Sequence, residues 1–218
     1  MAVAPLNKFL TIAVPVAPGE QTVYTAPTGK NSIVLYASVS NVGVNTYPTV
    51  TFTHRRESTA SNTTGNTRNI RVLKNTEIPP NDALVVIDGR LVLERTAFAK
   101  DSIVIEGTQS GIVDIDNVLY DQFTGLTTVT TSGAHGFNVT DEITMSGIKF
   151  SCSGYVGGAT TTIFPAPQRS FVVDQVINST VFVTNVGKVT NIPHTYVTGG
   201  QVAPLQMEFI MSILENTL

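Results

Sequence analysis

Tryptophan is absent from this chain of 218 residues, cysteine occurs once, histidine three times, and charged residues make up only 13%. Each scarcity excludes something. With Cys152 alone, neither an intrachain disulfide nor a multi-cysteine metal site can form, so stability must come from apolar burial and backbone pairing. A cytoplasmic assembly site is compatible with that. An ordinary globular chain is about 25% charged, so the surface here has to be built from Ser, Thr, Asn and Gly. Such a surface is weakly hydrated and weakly repelled by its neighbours, which lowers the desolvation cost of lasting association, as in a lattice or tail subunit. The formal charge of -3 is too small to draw in nucleic acid or an anionic membrane at long range, and neither partner is expected.

Long hydrophobic runs are missing too. The apolar stretch at residues 9–17 is broken by Pro15 and flanked by only Lys8, whereas a spanning helix needs about 20 apolar residues. It reads as an N-terminal arm, residues 1–10, leading into a first strand. Nothing else approaches a membrane span.

What the chain does have is Thr, Val and Ile in alternation of period two, punctuated by Gly, Pro and Asn, with no amphipathic helical repeat. This predicts an all-β protein. Strands are expected at 9–16, 21–25, 31–41, 49–55, 69–73, 82–88, 90–93 and 102–106, with a tight hairpin at Asp88-Gly89. The polar segment ESTASNTTGNT between Arg56 and Arg68 reads as a mobile surface loop, and the paired Pro79 and Pro80 fix an extended turn. From about Ile115 the composition shifts to Gly and Thr, with short strands at 126–131, 142–146, 170–176 and 180–186 and a hairpin turn at Asn178-Ser179. Residues 151–167 read as an exposed excursion. The terminal MEFIMSILE reads as a strand, because Met207, Phe209, Met211 and Ile213 alternate with Glu208, Ile210, Ser212 and Leu214; a short helix is the alternative.

Catalytic and metal signatures are sparse. His54, His135 and His194 are far apart and form no H-x-x-H or H-x-H pattern. His135, in Ala-His-Gly-Phe, reads as a turn residue whose ring packs beside Phe137 or bonds to backbone. Cys152 has no C-x-x-C partner and only Lys149 nearby, so a buried inert thiol is expected. Asp114, Asp116 and Asp121 could face a Ca²⁺ ion, but the intervening residues lack the remaining oxygen ligands and the glycine of a calcium loop, so solvated charge is the expectation. Asp141-Glu142 reads as a turn. Gly157-Gly158 and Gly199-Gly200 precede no helix that would cradle phosphate. The Asn-x-Ser/Thr triplets at Asn62, Asn138 and Asn178 are expected by chance in a Thr-rich chain. No catalytic, cofactor or metal residue is assigned. Arg55, Arg56, Arg68, Arg71 and Lys74 bracket the polar loop and admit three readings: a solvated loop, an anchor onto an acidic neighbour, or a contact with packaged DNA.

Four phrases together carry a resemblance: VYTAPTGKNSIVLYASVSNV at 23–42, IPPNDALVVIDGRLVLE at 78–94, DSIVIEG at 101–107 and MSILE at 211–215. They resemble small virion structural proteins of tailed bacteriophages, including phages of cyanobacteria. In the shorter members the strand like SIVIEG is followed closely by a last strand ending in SILE, which closes a β-sandwich. The resemblance implies a discontinuous sandwich domain of jelly-roll or Ig-like type, residues 1–112 plus 203–218, with a second β-rich domain, 113–202, inserted before the last strand. Within the insert, GLTTVTTSGAHGFNVTDEITMSGIKFSC at 125–152 resembles a small β module of phage tail and structural proteins. The expected function is that of a non-enzymatic virion subunit of neck, tail, baseplate or capsid surface, assembled in the host cytoplasm and oligomerising with itself and other virion proteins. A receptor- or glycan-binding module is the alternative, with Tyr155 as its best stacking residue. An enzyme such as a depolymerase or peptidase would need clustered acids or a base that the sequence does not offer.

Overall fold

Side chains that alternate between apolar and polar leave a chain one economical way to bury them, which is to pair extended segments face to face. The computed structural model describes residues 7–58, 66–152, 160–166, 168–189 and 193–217, and every regular element among the described residues is a β-strand. Most of the expected N-terminal arm, the loop residues 59–65 with Asn62, and Tyr155, Gly157 and Gly158 lie outside the described residues. The chain forms two compact units: Met1–Val16, Glu20–Thr108 and Gln206–Leu218 make the first, Ala17–Gly19 and Gln109–Leu205 the second.

The first unit contains β1 (Asn7–Pro15), β2 (Gly19–Thr25), β3 (Lys30–Asn41), β4 (Thr49–Ser58), β5 (Thr67–Glu77), β6 (Ala83–Glu94), β7 (Ala99–Thr108) and the last strand of the chain, β17 (Met207–Thr217). Two four-stranded sheets result, in the orders β1-β17-β3-β6 and β2-β7-β4-β5. With β17 counted as the eighth strand, this is the order of a jelly roll, a sandwich built from two Greek keys. Residues such as Val34, Phe52, Ile105, Phe209 and Ile213 fill the space between the sheets.

Strand β17 holds a central position. It pairs with β1 from Asn7↔Asn216 to Pro15↔Glu208 and with β3 from Lys30↔Thr217 to Asn41↔Met207. The alternative helix does not form here. As a strand the segment sends Met207, Phe209, Met211 and Ile213 into the core, whereas a helix would spread them around its circumference.

The second unit contains β8 (Val113–Tyr120), β9 (Leu126–Thr131), β10 (Glu142–Ser146), β11 (Lys149–Cys152), β12 (Thr160–Ile163), β13 (Ser170–Asn178), β14 (Val181–Asn185), β15 (His194–Thr198) and β16 (Gln201–Pro204). Six of them close into a barrel in the order β10-β13-β14-β9-β8-β16, and β12-β11-β15 form a small separate sheet. Closure removes the unpaired edges that short strands would otherwise present to solvent. The barrel is filled by Val129, Ile143, Met145, Phe171, Phe182 and Val202.

One expected turn is absent. Asp88-Gly89 makes no hairpin, and the two strands expected on either side of it are one strand, β6. Tyr36 pairs with Asp88 and Val34 with Leu91, so a single residue of β3 faces Gly89 and Arg90 together, which is a β-bulge. Gly89 has φ of 152°, a conformation that a residue with a Cβ rarely adopts. At Asn178, by contrast, the expected turn forms, and its side-chain Oδ1 accepts a hydrogen bond from the Thr180 amide at 2.8 Å.

Candidate functional site

Five basic residues flank the polar loop, and the strands sort them into two kinds. Arg55 donates to Glu20 at 2.7 Å and to Asn69 at 2.9 Å. Arg56 grips Asp101 through two parallel bonds of 2.6 Å each, and Glu94 lies 3.5 Å away. Asp101 is fully buried, and its Oδ2 also accepts the Glu94 amide at 3.0 Å. His54 Nε2 sits 3.3 Å from the same oxygen, without the angle of a hydrogen bond. Burial pushes the Asp101 carboxyl up, but the Arg56 bonds, the Glu94 amide and the nearby His54 and Arg56 outweigh it and hold the carboxyl below its usual range. These two arginines are structural. Arg68, Arg71 and Lys74 lie instead on β5, at the open edge of its sheet, exposed and with no ion-pair partner among the described residues. Ile70 and Val72 on the same strand are 51% and 41% exposed.

A second polar cluster fastens the end of the chain. Tyr24 Oη donates to Glu215 at 2.8 Å and lies 2.7 Å from Ser32 Oγ, while Lys30 Nζ reaches the other Glu215 oxygen at 3.0 Å. Burial raises the Glu215 carboxyl, but the bonds from Lys30 and Tyr24 and the charges of Lys30 and Lys8 bring it below the ordinary value. All of these groups are spent on holding β17 in place.

The outward face of the β1-β17-β3-β6 sheet has a different character. The register aligns Phe9, Leu214, Ile33 and Val92 in one row across all four strands. Their neighbours Leu10, Ile213, Val34 and Leu91 point into the core, so this row points away from it. Phe9 is 73% and Val92 47% exposed, and Tyr36, Val85 and Ile210 on the same face are exposed as well. The charges on the face are Asp88, Arg90, Glu94 and Glu208; Glu94 lies 3.5 Å from Arg56, and the other three are in no ion pair among the described residues. A hollow of about 350 Å³ opens beside Ala13, Glu208 and Ile210.

In the second unit the candidate residues do not converge. Asp114 accepts from Gln201 Nε2 at 3.0 Å, and Asp121 accepts from Thr124 Oγ1 at 2.6 Å and the Phe123 amide at 2.9 Å in a local turn. No group of three His, Cys, Asp or Glu among the described residues is placed to hold a metal ion. His135 is buried; its Nδ1 accepts the Phe137 amide at 2.9 Å, its Nε2 lies 3.0 Å from the Asn178 carbonyl, and its ring stacks on Phe137 at 5.0 Å. Cys152 is buried and burial pushes its thiol up, away from the reactive thiolate. Asp141 sits in a turn closed by its bond to the Asn138 amide at 2.7 Å. Gly199 and Gly200, both at positive φ, turn the chain between β15 and β16.

One groove stands out in that unit, about 450 Å³ in volume, with Tyr120, Asp121, Leu126, His194 and Tyr196 among its lining residues. The two hydroxyls face inward: Tyr120 donates to the Gly187 carbonyl at 2.8 Å, and Tyr196 reaches the carbonyls of Ile115 and Gly199 at 3.1 Å each. The groove therefore offers the rings of Tyr120, His194 and Tyr196, the Asp121 carboxylate and the hydroxyls of Thr128 and Thr195. Neither this groove nor the apolar row is visible before the strands are in register, and its only trace in the sequence is the apolar content on both faces of NKFLTIAVP and MSILE.

No helix among the described residues is long and apolar enough to cross a membrane. No family model matches the sequence, and no curated protein matches it. Solved structures that match include a particle of infectious bursal disease virus, Gx strain, at 9% identity and a TM-score of 0.29, covering 99% of this chain and 42% of that one. T=1 particles derived from infectious bursal virus match at 11% identity and a TM-score of 0.28, covering 98% of this chain and 40% of theirs. The T13 infectious bursal disease virus particle matches at 11% and 0.29, covering 98% and 39%. The chain spans about two fifths of the length of these structures, and superposition this loose leaves its function to its own residues.

Proposed function

We propose that this chain is a non-enzymatic virion structural subunit of a tailed bacteriophage, a component of neck, tail, baseplate or capsid surface that works through contacts with copies of itself and with neighbouring virion proteins. The observation that carries the reading is the apolar row Phe9–Leu214–Ile33–Val92 on the outward face of a jelly-roll sheet. An apolar stripe of this kind, exposed at Phe9 and Val92 and half-buried at Leu214 and Ile33, supports a protein-protein contact surface. Two further features support it: the surface is poor in charge, and the strongest polar side chains of the first unit are used to hold strands together. The jelly roll is itself an architecture that capsid and lectin domains share, so the surface weighs more than the fold. Quantitative mass spectrometry of purified particles tests the reading. A fixed copy number, in proportion to the other structural proteins, is expected; absence from washed particles overturns it.

The groove beside Tyr120, Asp121, His194 and Tyr196 favours a second reading, recognition of a host glycan by the second unit. Its aromatic rings and single carboxylate suit a neutral sugar, because the unit sets Asp114, Asp116, Asp121, Asp141, Glu142 and Asp174 against only Lys149, Arg169 and Lys188 and would repel an anionic one. Chemical-shift perturbation at Tyr196 by neutral oligosaccharides, lost in Asp121→Ala, is expected on this reading. No perturbation across a glycan panel removes it.

A further inference from the structure

Four strands of the first unit lie at sheet edges, β1 and β6 in one sheet and β2 and β5 in the other. An open edge invites pairing with another chain unless charge, irregularity or shortness blunts it. Strand β6 carries Asp88, Arg90, Glu94 and the bulge at Gly89. Strand β5 carries Arg68, Arg71 and Lys74 and pairs with β4 through two register shifts. Strand β2 is seven residues long and carries Glu20. Strand β1 is the least protected: it is nine residues long, its register with β17 runs without a shift, and its only charge and only proline, Lys8 and Pro15, sit near its two ends.

The backbone groups of β1 alternate in direction. The Val16 amide donates to the Met207 carbonyl at 2.9 Å, in register with the β1-β17 ladder, so Lys8, Leu10, Ile12 and Val14 turn their backbone groups toward β17. Those of Phe9, Thr11 and Ala13 turn toward the open side, and all three residues are exposed. The Pro15 carbonyl accepts from Gln21 Nε2 at 3.4 Å, which ends the open run.

We propose that β1 pairs antiparallel with β1 of a second copy of this chain, with Thr11 opposite Thr11 on the twofold axis. This rests on the structural-subunit reading and names one self-contact within it. The strand is self-complementary in that register. Phe9 of each copy lies opposite Ala13 of the other, so every open amide and carbonyl of Phe9, Thr11 and Ala13 meets a partner. On the outward face a large side chain meets a small one: Phe9, 73% exposed, comes beside Ala13 of the other copy, where the hollow of about 350 Å³ opens. On the core side Leu10 of one copy lies opposite Ile12 of the other, and both half-buried side chains gain cover. Lys8 falls opposite Val14, so the two lysines stand at opposite ends of the ladder and like charges do not meet. The contact uses the same strand of both copies and is therefore isologous and closed, joining two sheets into one that ends at either side in the blunted strand β6.

Sedimentation velocity of the full-length native chain and of Thr11→Lys tests the pairing, with a thermal melt of each to check that the fold is intact. The native chain is expected to dimerise. Thr11→Lys, a change at an exposed position, should dimerise about tenfold more weakly or worse, because two cations then meet on the axis. Register is read separately by mild oxidation of Thr11→Cys and Ala13→Cys. Opposite residues of a hydrogen-bonded pair stand about 5.5 Å apart at Cα, within reach of a disulfide, so Thr11→Cys should link two copies. Ala13→Cys, whose counterpart stands a full Phe9-to-Ala13 span away, should not. A native chain that is monomeric throughout, a Thr11→Lys chain that dimerises like the native one, or equal linking at both positions would each overturn the inference. The subunit reading fails separately, by absence of the chain from purified particles.

Discussion

Phe209, in the last strand of the chain, lies with its ring centroid 6.0 Å from that of Phe52 in β4, and both rings are buried between the two sheets of the first unit. The sandwich is thus closed by residues contributed after the whole second unit has been made. This contact, with the flanking β1-β17 and β17-β3 ladders, makes the end of the chain part of the first core.

Truncating Phe209 to Ala should cost the first unit about 3–5 kcal/mol, the range for emptying an aromatic site in a packed core. Thermal unfolding of the full chain measures it. A loss below about 1 kcal/mol would mean that the ring contributes little to closure.

We also propose that the two units fold independently. Deleting residues 207–218 should then abolish amide protection throughout 20–108 while leaving it intact in β9, β13 and β14, as read by hydrogen exchange. Protection lost equally in both units would show one cooperative domain.

Asp101→Asn removes the charge from the two Arg56 bonds and should destabilise the first unit by about 1–3 kcal/mol, because Asp101 is buried while the guanidinium left behind is partly exposed and still has Glu94 at 3.5 Å. The pH dependence follows from the same geometry. Asp101 and Glu215 are held below their ordinary values in the fold. Their stabilising contribution is therefore complete above the unfolded values, about 3.9 and 4.3, and is lost as pH falls through the lower folded ones. The native chain should lose stability steadily below about pH 4, and the Asn variant should show a shallower slope there. Equal slopes would contradict the assignment.

Gly107 is tightly enclosed: a Cβ placed on it would come within 2.6 Å of both Met207 Cε and Val16 Cγ1. Gly107→Ala should therefore cost about 1–3 kcal/mol through overpacking, measurable by denaturant titration. A neutral result would mean that Met207 can swing aside.

His135→Ala removes both the acceptor of the Phe137 amide and the partner of the Asn178 carbonyl, and should lower the stability of the second unit by about 1–3 kcal/mol. Added Zn²⁺ should leave the melting of the native chain unchanged; a metal-dependent rise would reopen a ligand role for this histidine.

The sequence was most legible where both faces of a strand declare themselves. Residues 31–41, 49–55, 102–106 and 207–215 are rich in Val, Ile, Phe, Met and Thr, either alternating or apolar on both faces, and they form the centres of the two first-unit sheets. Five second-unit strands, β8, β11, β12, β15 and β16, are not legible in the sequence: they are short, and in β8 the alternation of Val113, Asp114, Ile115 and Asp116 is interrupted at Asn117, where the register shifts. What makes them strands is barrel closure and pairing with distant segments. Asp88-Gly89 misled for a related reason. Its local chemistry suits a hairpin, but Ile87 and Leu91 both pair with β3, and that long-range ladder outweighs the turn preference. The five cations could be counted in the sequence, but only pairing across β4, β5 and β7 separates Arg55 and Arg56, which are held internally, from Arg68, Arg71 and Lys74, which are not.

The central claim is that the chain is a repeating structural part of a virion, and a cryo-electron-microscopy map of the native particle tests it most directly. The account predicts density for the eight-stranded sandwich at symmetry-related positions on the neck, tail, baseplate or shell, with the Phe9–Val92 face covered by a neighbouring protein. Density confined to fibre tips with that face bare, or a particle without the chain, would contradict it.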